Sequence, residues 1–279
     1  MSSEELERIY RVFIFPEDPF SEEGRARYER ALEEFNKIIE HTWVKNIMDT
    51  RDKVHVLDLC GGTGIGGVAL AKKIIEAGKN VELTIVDLRG SALEKAKEFC
   101  RRELGFEPRT VVWDARKVHE LGLKVDLMLM YGLATPHFCP WDLLRVYASA
   151  SLAISDDGVF IVEESDRFQT IFRRVGYKDI LAEHVSEDRI VLTLHKSHDI
   201  LTGYTTRVAV DLVTKQASPM NVYFWDIASS ATLLWIFFND IDFIQKPAKP
   251  SGYIIAYKPR KTITPQSFIS CLPKILQNK

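Results

Sequence analysis

Between Ser21 and Ile47, apolar residues recur every three or four positions, the spacing of one face of an α-helix. Ser21 and the two acids that follow it are typical of a helix N-terminus, where a serine caps free amides and acids favour the helix dipole. The pattern predicts one long amphipathic helix, with apolar residues Tyr28, Ala31, Leu32, Phe35, Ile38, Ile39, Trp43 and Ile47. Ahead of it, the aromatic residues and prolines between Tyr10 and Phe20 predict an irregular arm against an apolar surface.

Beyond Lys53, short apolar runs alternate with helical stretches, the pattern of a parallel sheet built from strand–helix–strand units. One predicted helix begins with a capping box formed by Ser91 and Glu94 and ends at Gly105. Another predicted helix begins at Pro140. The strands predicted in this region are residues 54–59, 81–87, 110–113, 125–131 and 159–163. The fold class is therefore α/β.

After a short predicted helix over residues 167–176, the residue pattern changes from helical spacing to alternation. Polar and β-branched residues alternate over 189–195, 203–213 and 220–225, with turns near Asp199 and Ser218-Pro219, which predicts an inserted antiparallel meander. A helix over 228–238 and strands at 241–245 and 252–257 complete the sheet. The expected organisation is an N-terminal arm and helix (1–50), a cofactor-binding core (51–185), the meander as a substrate lid (186–225), completion of the core (226–260) and a tail (261–279).

The composition of the chain argues against several classes of protein. The chain has 37 Lys and Arg against 39 Asp and Glu, a net charge of −2, which gives no electrostatic reason to expect a nucleic-acid partner. The scattered cysteines include no Cys-x-x-Cys pair, so neither a zinc site nor a disulfide framework is indicated, and we expect no bound metal and a reducing, cytoplasmic environment. No signal sequence or membrane span is expected, because the longest apolar run, 231–238, is too short.

The first core strand leads through a glycine-rich loop, residues 60–64, into a helix. Glycines allow a ligand to approach the backbone, and a helix N-terminus offers N–H groups to a polar or anionic group. Gly62, Gly64 and Gly67 fit a Gly-x-Gly-x-x-Gly dinucleotide pattern, and Asp87 ends the next strand, where a carboxylate could accept both ribose hydroxyls. A tight turn without a ligand is the structural alternative.

Two further acids bear on whether the loop binds a nicotinamide dinucleotide or S-adenosylmethionine. Asp58 precedes the glycine loop, where its charge would repel a dinucleotide pyrophosphate but attract the ammonium of a methionine moiety. Asp114 follows the third strand, where it could accept from an adenine amino group or serve only as a helix cap. The acid before the loop favours S-adenosylmethionine.

The chain resembles the class I S-adenosylmethionine-dependent methyltransferases over roughly residues 50–165 and 241–258. Residues 57–64 (Leu-Asp-Leu-Cys-Gly-Gly-Thr-Gly), 85–88 (Ile-Val-Asp-Leu), 113–115 (Trp-Asp-Ala) and 125–128 (Val-Asp-Leu-Met) match its successive motifs at the family spacing. Cys60 departs from the pattern, because the family usually has glycine there. The resemblance implies a Rossmann-like, seven-stranded, mostly parallel sheet with an antiparallel last strand.

The resemblance also implies a set of cofactor-binding residues. Asp58 and the loop through Gly64 would hold the methionine part, Asp87 the ribose, and Asp114 with Ala115 the adenine. The full expected set is Asp58, Cys60, Gly62, Gly64, Asp87, Leu88, Asp114, Ala115 and Tyr131.

The sequence says less about the residues that would bind the methyl acceptor than about those that would bind the cofactor. The loop over residues 131–138 lacks the Asn/Asp-Pro-Pro-Tyr/Phe signature of enzymes that methylate amino groups of nucleic acid or glutamine. His137 is its candidate general base, with a hydrogen-bonded surface histidine as the alternative. From the meander, Tyr204, Tyr223 and Trp225 are candidate substrate-binding residues, although they could instead fill the space between meander and sheet.

The leading hypothesis is in-line methyl transfer from S-adenosylmethionine to a small-molecule acceptor, with no nucleic-acid or membrane partner and an undetermined oligomeric state. Three alternatives stay open: an NAD(P)-dependent oxidoreductase, an RNA or protein methyltransferase, and a non-catalytic S-adenosylmethionine-binding module.

Overall fold

Two β-sheets organise the protein, whose computed structural model describes residues 2–247, 250–271 and 273–277. The strands are β1 (Lys53–Leu59), β2 (Asn80–Asp87), β3 (Arg109–Val112), β4 (Val125–Met130), β5 (Ile154–Ser165), β6 (Ile180–Val185), β7 (Ile190–His198), β8 (Thr205–Asp211), β9 (Gln216–Val222), β10 (Phe238–Gln245) and β11 (Ser251–Pro259). The larger sheet has seven strands in the order β10-β11-β5-β4-β1-β2-β3, and the smaller has β6 to β9 in sequence order.

The larger sheet is parallel from β3 through β5, and β11 joins β5 antiparallel. This confirms the predicted α/β fold with an antiparallel last strand. All six residues of β4 are buried, as expected of a strand covered by helices on both faces. The strand order reverses between β1 and β4, and ligands of such sheets bind beyond the carboxyl ends of the strands at this reversal.

Helices cover both faces of this sheet. They are α1 (Ser3–Val12), α2 (Glu22–Glu40), α3 (Thr42–Thr50), α4 (Ile65–Glu76), α5 (Gly90–Leu104), α6 (Pro140–Ala153), α7 (Ile227–Phe237), α8 (Pro265–Ser270) and α9 (Lys274–Gln277), with 3₁₀ turns at Ala115–Leu121 and Thr135–His137 and a π-helix at Phe168–Val175. Side chains of α2 to α5 form one buried cluster and those of α6 and α7 the other. Within the described residues, none of the helices combines the length and apolar character that a bilayer crossing requires.

The prediction of one long helix from Ser21 was wrong at His41. Ser21 caps α2 as expected, with its hydroxyl accepting from the Gly24 N–H. His41, however, has extended backbone angles (φ −61°, ψ 133°) and accepts from the Trp43 N–H, so that α3 begins in a new direction. The apolar spacing continues across this break because both helices bury a face against the same cluster.

The meander has four strands, whereas the pattern predicted three. The additional strand, β6, lies before the predicted boundary at residue 186, and most of its side chains are exposed, so it lacks the alternation that marks a half-buried strand. Ser218 and Pro219 were expected in a turn but lie within β9, opposite Ala209 and Val208. The turn lies earlier, where Lys215 adopts a positive φ of 57°.

The arm ahead of α2 is partly helical, contrary to the irregular structure that we predicted. A capping box begins α1, because the Ser2 hydroxyl accepts from the Glu5 N–H and the Glu5 carboxylate accepts from the Ser2 N–H. Arg189 of the meander donates to the carbonyls of Arg11 and Val12 at 2.7 and 3.0 Å. The meander therefore holds the C-terminal end of α1.

Candidate functional site

A cavity of about 1070 Å³, measured with its open mouth, lies beyond the carboxyl ends of β1 to β4. Its floor is formed by residues 60–63, 86–89 and 113–116, which follow the first three strands, and its wall includes 131–132 after β4. The arm covers it with Leu6, Tyr10, Phe15 and Glu17. The topology thus brings the predicted loops together at one cavity.

The glycine loop after β1 bends sharply as it enters α4. Gly62 and Gly64 have φ values of +53° and +83°, which favour glycine, and Cys60 adopts +59° despite its side chain. Cys60 lines the cavity and also packs, half-buried, against the apolar cluster formed by α6 and α7. A Cβ at Gly66 would lie 2.6 Å from Cβ of Tyr131 and 2.7 Å from its ring, so α4 can pack this closely on Tyr131 only with glycine there.

Asp58 lies beneath the loop and does not line the cavity. Its Oδ2 accepts from the Gly67 N–H at 2.7 Å, while its buried Oδ1 has no hydrogen-bond partner among the described residues. Burial raises the pKa of Asp58 to about 7. Asp58 therefore fixes the loop, and a cation above the loop would stabilise its ionised form.

Asp87 organises the next part of the cavity. Its Oδ2 accepts from the Gly62 N–H at 2.9 Å, and its Oδ1 accepts from the Arg89 N–H at 2.8 Å. An ionised carboxylate has about four acceptor positions, so these two bonds leave acceptor capacity for a ligand. Leu88 also lines the cavity.

Arg89 fastens the arm over Asp87. Its guanidinium forms a salt bridge with Glu17 at 2.8 Å, and its Cζ lies 3.6 Å from the centroid of the Tyr10 ring. Only 5% of the Arg89 side chain is exposed. Burial raises the pKa of Tyr10 to about 12, so this ring stays neutral at physiological pH. These three residues were missed, although the aromatic arm was a signal that something covers the core.

The Asp114 carboxylate is engaged by Arg116. Arg116 donates to it from Nε at 3.0 and 3.1 Å, from Nη2 at 2.7 Å and from its backbone N–H at 2.9 Å, and it also reaches Asp142 at 3.0 Å. Burial raises the pKa of Asp114, but the Arg116 hydrogen bonds outweigh it and lower the pKa. Asp114 and Ala115 both line the cavity as predicted, yet the carboxylate has little capacity left for a ligand amino group.

His137 lines the cavity beside Tyr131. Its Nδ1 is buried and has no hydrogen-bond partner in the described part of the chain. Burial, with the charges of Arg167 and Arg89, lowers the pKa of His137 to about 4, so its imidazole is neutral at physiological pH. The ring can therefore accept a proton, but only as a weak base.

The three meander aromatics do not line this cavity. Trp225 is 2% exposed, and its Nε1 donates to the carbonyls of Thr135 and Phe138, so it holds the turn that carries His137. The Tyr223 ring packs on Trp225 at 4.6 Å between centroids. The prediction that these two side chains line a substrate pocket disagrees with this placement, and the alternative of packing against the sheet domain agrees with it.

Tyr204 contacts the turn that carries His137 but lines a different cavity. Its hydroxyl donates to the His137 carbonyl and accepts from the Cys139 N–H, both at 2.9 Å. It lines a second, polar cavity between α1, the meander and α6. Gly64, the remaining predicted residue, caps α4 without lining the first cavity.

A family model described as "Methyltransferase domain" matches residues 56–158, which contain the glycine loop, Asp87, Asp114 and His137. Residues 56–158 therefore form a methyltransferase domain. The predicted family is thereby confirmed, together with the assignment of the chain as an enzyme and S-adenosylmethionine as its cofactor. A search of curated proteins found no match.

Solved structures share the fold of this methyltransferase. The PH0226 protein of Pyrococcus horikoshii is 20% identical, with a TM-score of 0.59 over 90% of this chain and 98% of that one. An S-adenosylmethionine-dependent methyltransferase of Clostridium acetobutylicum is 15% identical, with a TM-score of 0.62 over 86% and 95%. CalS10, an amino pentose methyltransferase of Micromonospora echinaspora, is 15% identical, with a TM-score of 0.53 over 85% and 95%.

The residues at the cavity of the methyltransferase domain fit S-adenosylmethionine. The glycine loop backbone lines the cavity, and Asp58 has an unpartnered carboxylate oxygen beneath it. Asp87 retains acceptor capacity beside the loop, where it could accept from hydroxyl groups of a ligand. The donor set therefore suits a ligand that carries a cation at one end and vicinal hydroxyls next to it.

Proposed function

We propose that the protein transfers a methyl group from S-adenosylmethionine to a small-molecule acceptor. The observation that supports this most is that Asp87 and the glycine loop line one cavity that the arm covers, while the Asp58 carboxylate lies beneath the loop. A covered cavity favours a small acceptor over a folded RNA or protein, and CalS10, with the same fold, is an amino pentose methyltransferase. The balanced charge of the chain agrees. We place the reaction in the cytoplasm, where the four free cysteines would stay reduced.

Each cavity residue has a distinct role in this proposal. Asp87 accepts hydrogen bonds from the ribose hydroxyls, Asp58 contributes negative charge beneath the methionine ammonium, and the segment at Asp114 and Ala115 contacts the adenine. When bound, S-adenosylmethionine supplies a methyl group activated by the sulfonium charge. The protein then has to align the acceptor and to exclude water, and Tyr10 and Arg89 serve the second purpose by closing the arm.

A hydroxyl acceptor has to lose its proton as it attacks, and an ammonium acceptor has to lose a proton before it can attack. His137 is the candidate for receiving it, because its neutral ring lines the cavity. An acceptor that arrives as a neutral amine needs no base for the attack, and the protein would then act by alignment alone.

The transfer can be followed with S-adenosylmethionine that carries a radiolabelled methyl group and an extract of the source cells. We expect label in the small-molecule fraction, with S-adenosylhomocysteine formed in equal amount. The Asp87→Ala variant serves as the negative control. Label recovered only in the protein or RNA fraction would contradict the small-molecule proposal.

A further inference from the structure

Three unpartnered polar atoms cluster at the carboxyl ends of β4 and β5, outside the cofactor residues. They are Nδ1 of His137, Oε2 of Glu164 and Nε of Arg167, and each is buried without a hydrogen-bond partner in the described part of the chain. Buried polar groups are nearly always satisfied, so several unsatisfied groups in one place indicate a missing partner. The ends of these two strands are also where an acceptor would lie relative to the glycine loop.

Hydrogen bonds through Trp225 tie the three residues into one unit. The Thr135 hydroxyl donates to Oε1 of Glu164 at 3.0 Å, and Trp225 Nε1 donates to the Thr135 carbonyl at 3.1 Å. The Arg167 N–H in turn donates to the Trp225 carbonyl at 2.8 Å. The turn that carries His137 is thus fixed against the end of β5, where Arg167 begins the π-helix.

The acidic neighbours of Arg167 compensate its positive charge only in part, because burial lowers the pKa of Arg167 by more than the charges of Glu164 and Glu163 raise it. Glu163 is occupied by Lys246 and by the Gly132 N–H, and Arg167 forms no salt bridge with a described carboxylate. Glu164 bonds to Thr135 and to the Ser165 N–H through the same oxygen, and burial raises its pKa to about 7. A guanidinium left in this state calls for an anion.

We propose that the methyl acceptor carries an anionic group, a carboxylate or a phosphate, and that Arg167 binds this group beside His137. The proposal rests on the proposed function, because it assigns the ligand of the acceptor side of the same site. The planar guanidinium suits both anions, since its parallel N–H groups can bind two oxygens at once.

The test uses protein saturated with S-adenosylhomocysteine and small probes in place of the acceptor. Acetate, inorganic phosphate and the neutral acetamide are titrated at constant ionic strength, and the His137 ring signals are followed by NMR. We expect saturable shifts and a raised His137 pKa with acetate or phosphate, and neither with acetamide. Acetate alone would indicate a carboxylate, and phosphate alone a phosphate.

Variants assign the effect to Arg167. Arg167→Gln should weaken anion binding by about tenfold or more, and Arg167→Lys by less, because it keeps the charge but loses the paired N–H groups. Arg174→Gln is the matched control, because this arginine is exposed on the π-helix that follows. Arg167→Gln should also raise the pKa of His137 in the absence of any anion, which tests that the two side chains interact.

The outcomes distinguish failure of the proposed methyl transfer from failure of the proposed anion site. Wild-type protein that fails to bind S-adenosylhomocysteine would contradict the proposed function. Protein that binds it but responds equally to acetate, phosphate and acetamide would overturn the anion proposal alone. Anion binding that is unchanged in Arg167→Gln would also overturn it, and because the probe comparison uses wild-type protein, it remains decisive if the variant does not fold.

Discussion

Asp87→Ala should weaken the binding of S-adenosylhomocysteine by about 2 to 4 kcal/mol, because two ribose hydroxyls lose a charged acceptor. The same carboxylate also fixes the Gly62 N–H and the Arg89 N–H, so the glycine loop loses support in the variant. Isothermal titration calorimetry measures the change directly.

Two variants serve as comparisons for Asp87. Asp114→Ala should cost less, because Arg116 already occupies most of the Asp114 carboxylate. Asp52→Ala should leave affinity unchanged, because this residue is exposed at the start of β1. An Asp87→Ala protein that is folded and binds with wild-type affinity would show that Asp87 does not hold the ribose.

His137→Ala should lower turnover by about 10² to 10⁴ if the acceptor loses its proton during attack, with cofactor affinity unchanged. An unperturbed histidine would make activity rise near pH 6 to 7. The pKa of about 4 moves that rise to more acidic pH, because the ring is already neutral above it. The kcat/KM of the wild type, which reports the enzyme before the acceptor binds, should therefore show no His137 titration between pH 6 and 7.

His198→Ala is the control for His137, because it removes an exposed imidazole from the meander. Near-normal turnover of His137→Ala across the pH range would remove His137 from the mechanism as a base. The acceptor would then be a neutral amine or a thiolate, for which alignment suffices.

The sequence predicted the sheet because its strands are short, apolar and separated by helices. The predicted capping box of Ser91 and Glu94 was wrong, because α5 already begins at Gly90 and its N-cap, Arg89, makes no side-chain capping bond. Covered parallel strands such as β4 have no polar face, so their pattern is clear. The break at His41 and the exposed strand β6 were missed, since neither changes the apolar spacing that carries the prediction.

The candidate site was predictable where a motif places backbone against a ligand, as at Gly62 and Asp87. It was not predictable where side chains from distant segments meet. The Arg89 contact with Tyr10 joins the arm to the loop between β2 and α5. The Trp225 hydrogen bonds join the meander to the turn that carries His137. Sequence periodicity shows on which face of a helix or strand a residue lies, but not which other segment of the chain that residue contacts.

The central claim, that the cavity binds S-adenosylmethionine and not a nicotinamide dinucleotide, is tested most directly by calorimetric titration of the wild-type protein with S-adenosylhomocysteine and with NAD⁺. We predict saturable heat with S-adenosylhomocysteine and none with NAD⁺, because Asp58 lies beneath the loop where a pyrophosphate would have to bind. Saturable heat with NAD⁺, and none with S-adenosylhomocysteine or S-adenosylmethionine, would contradict the account.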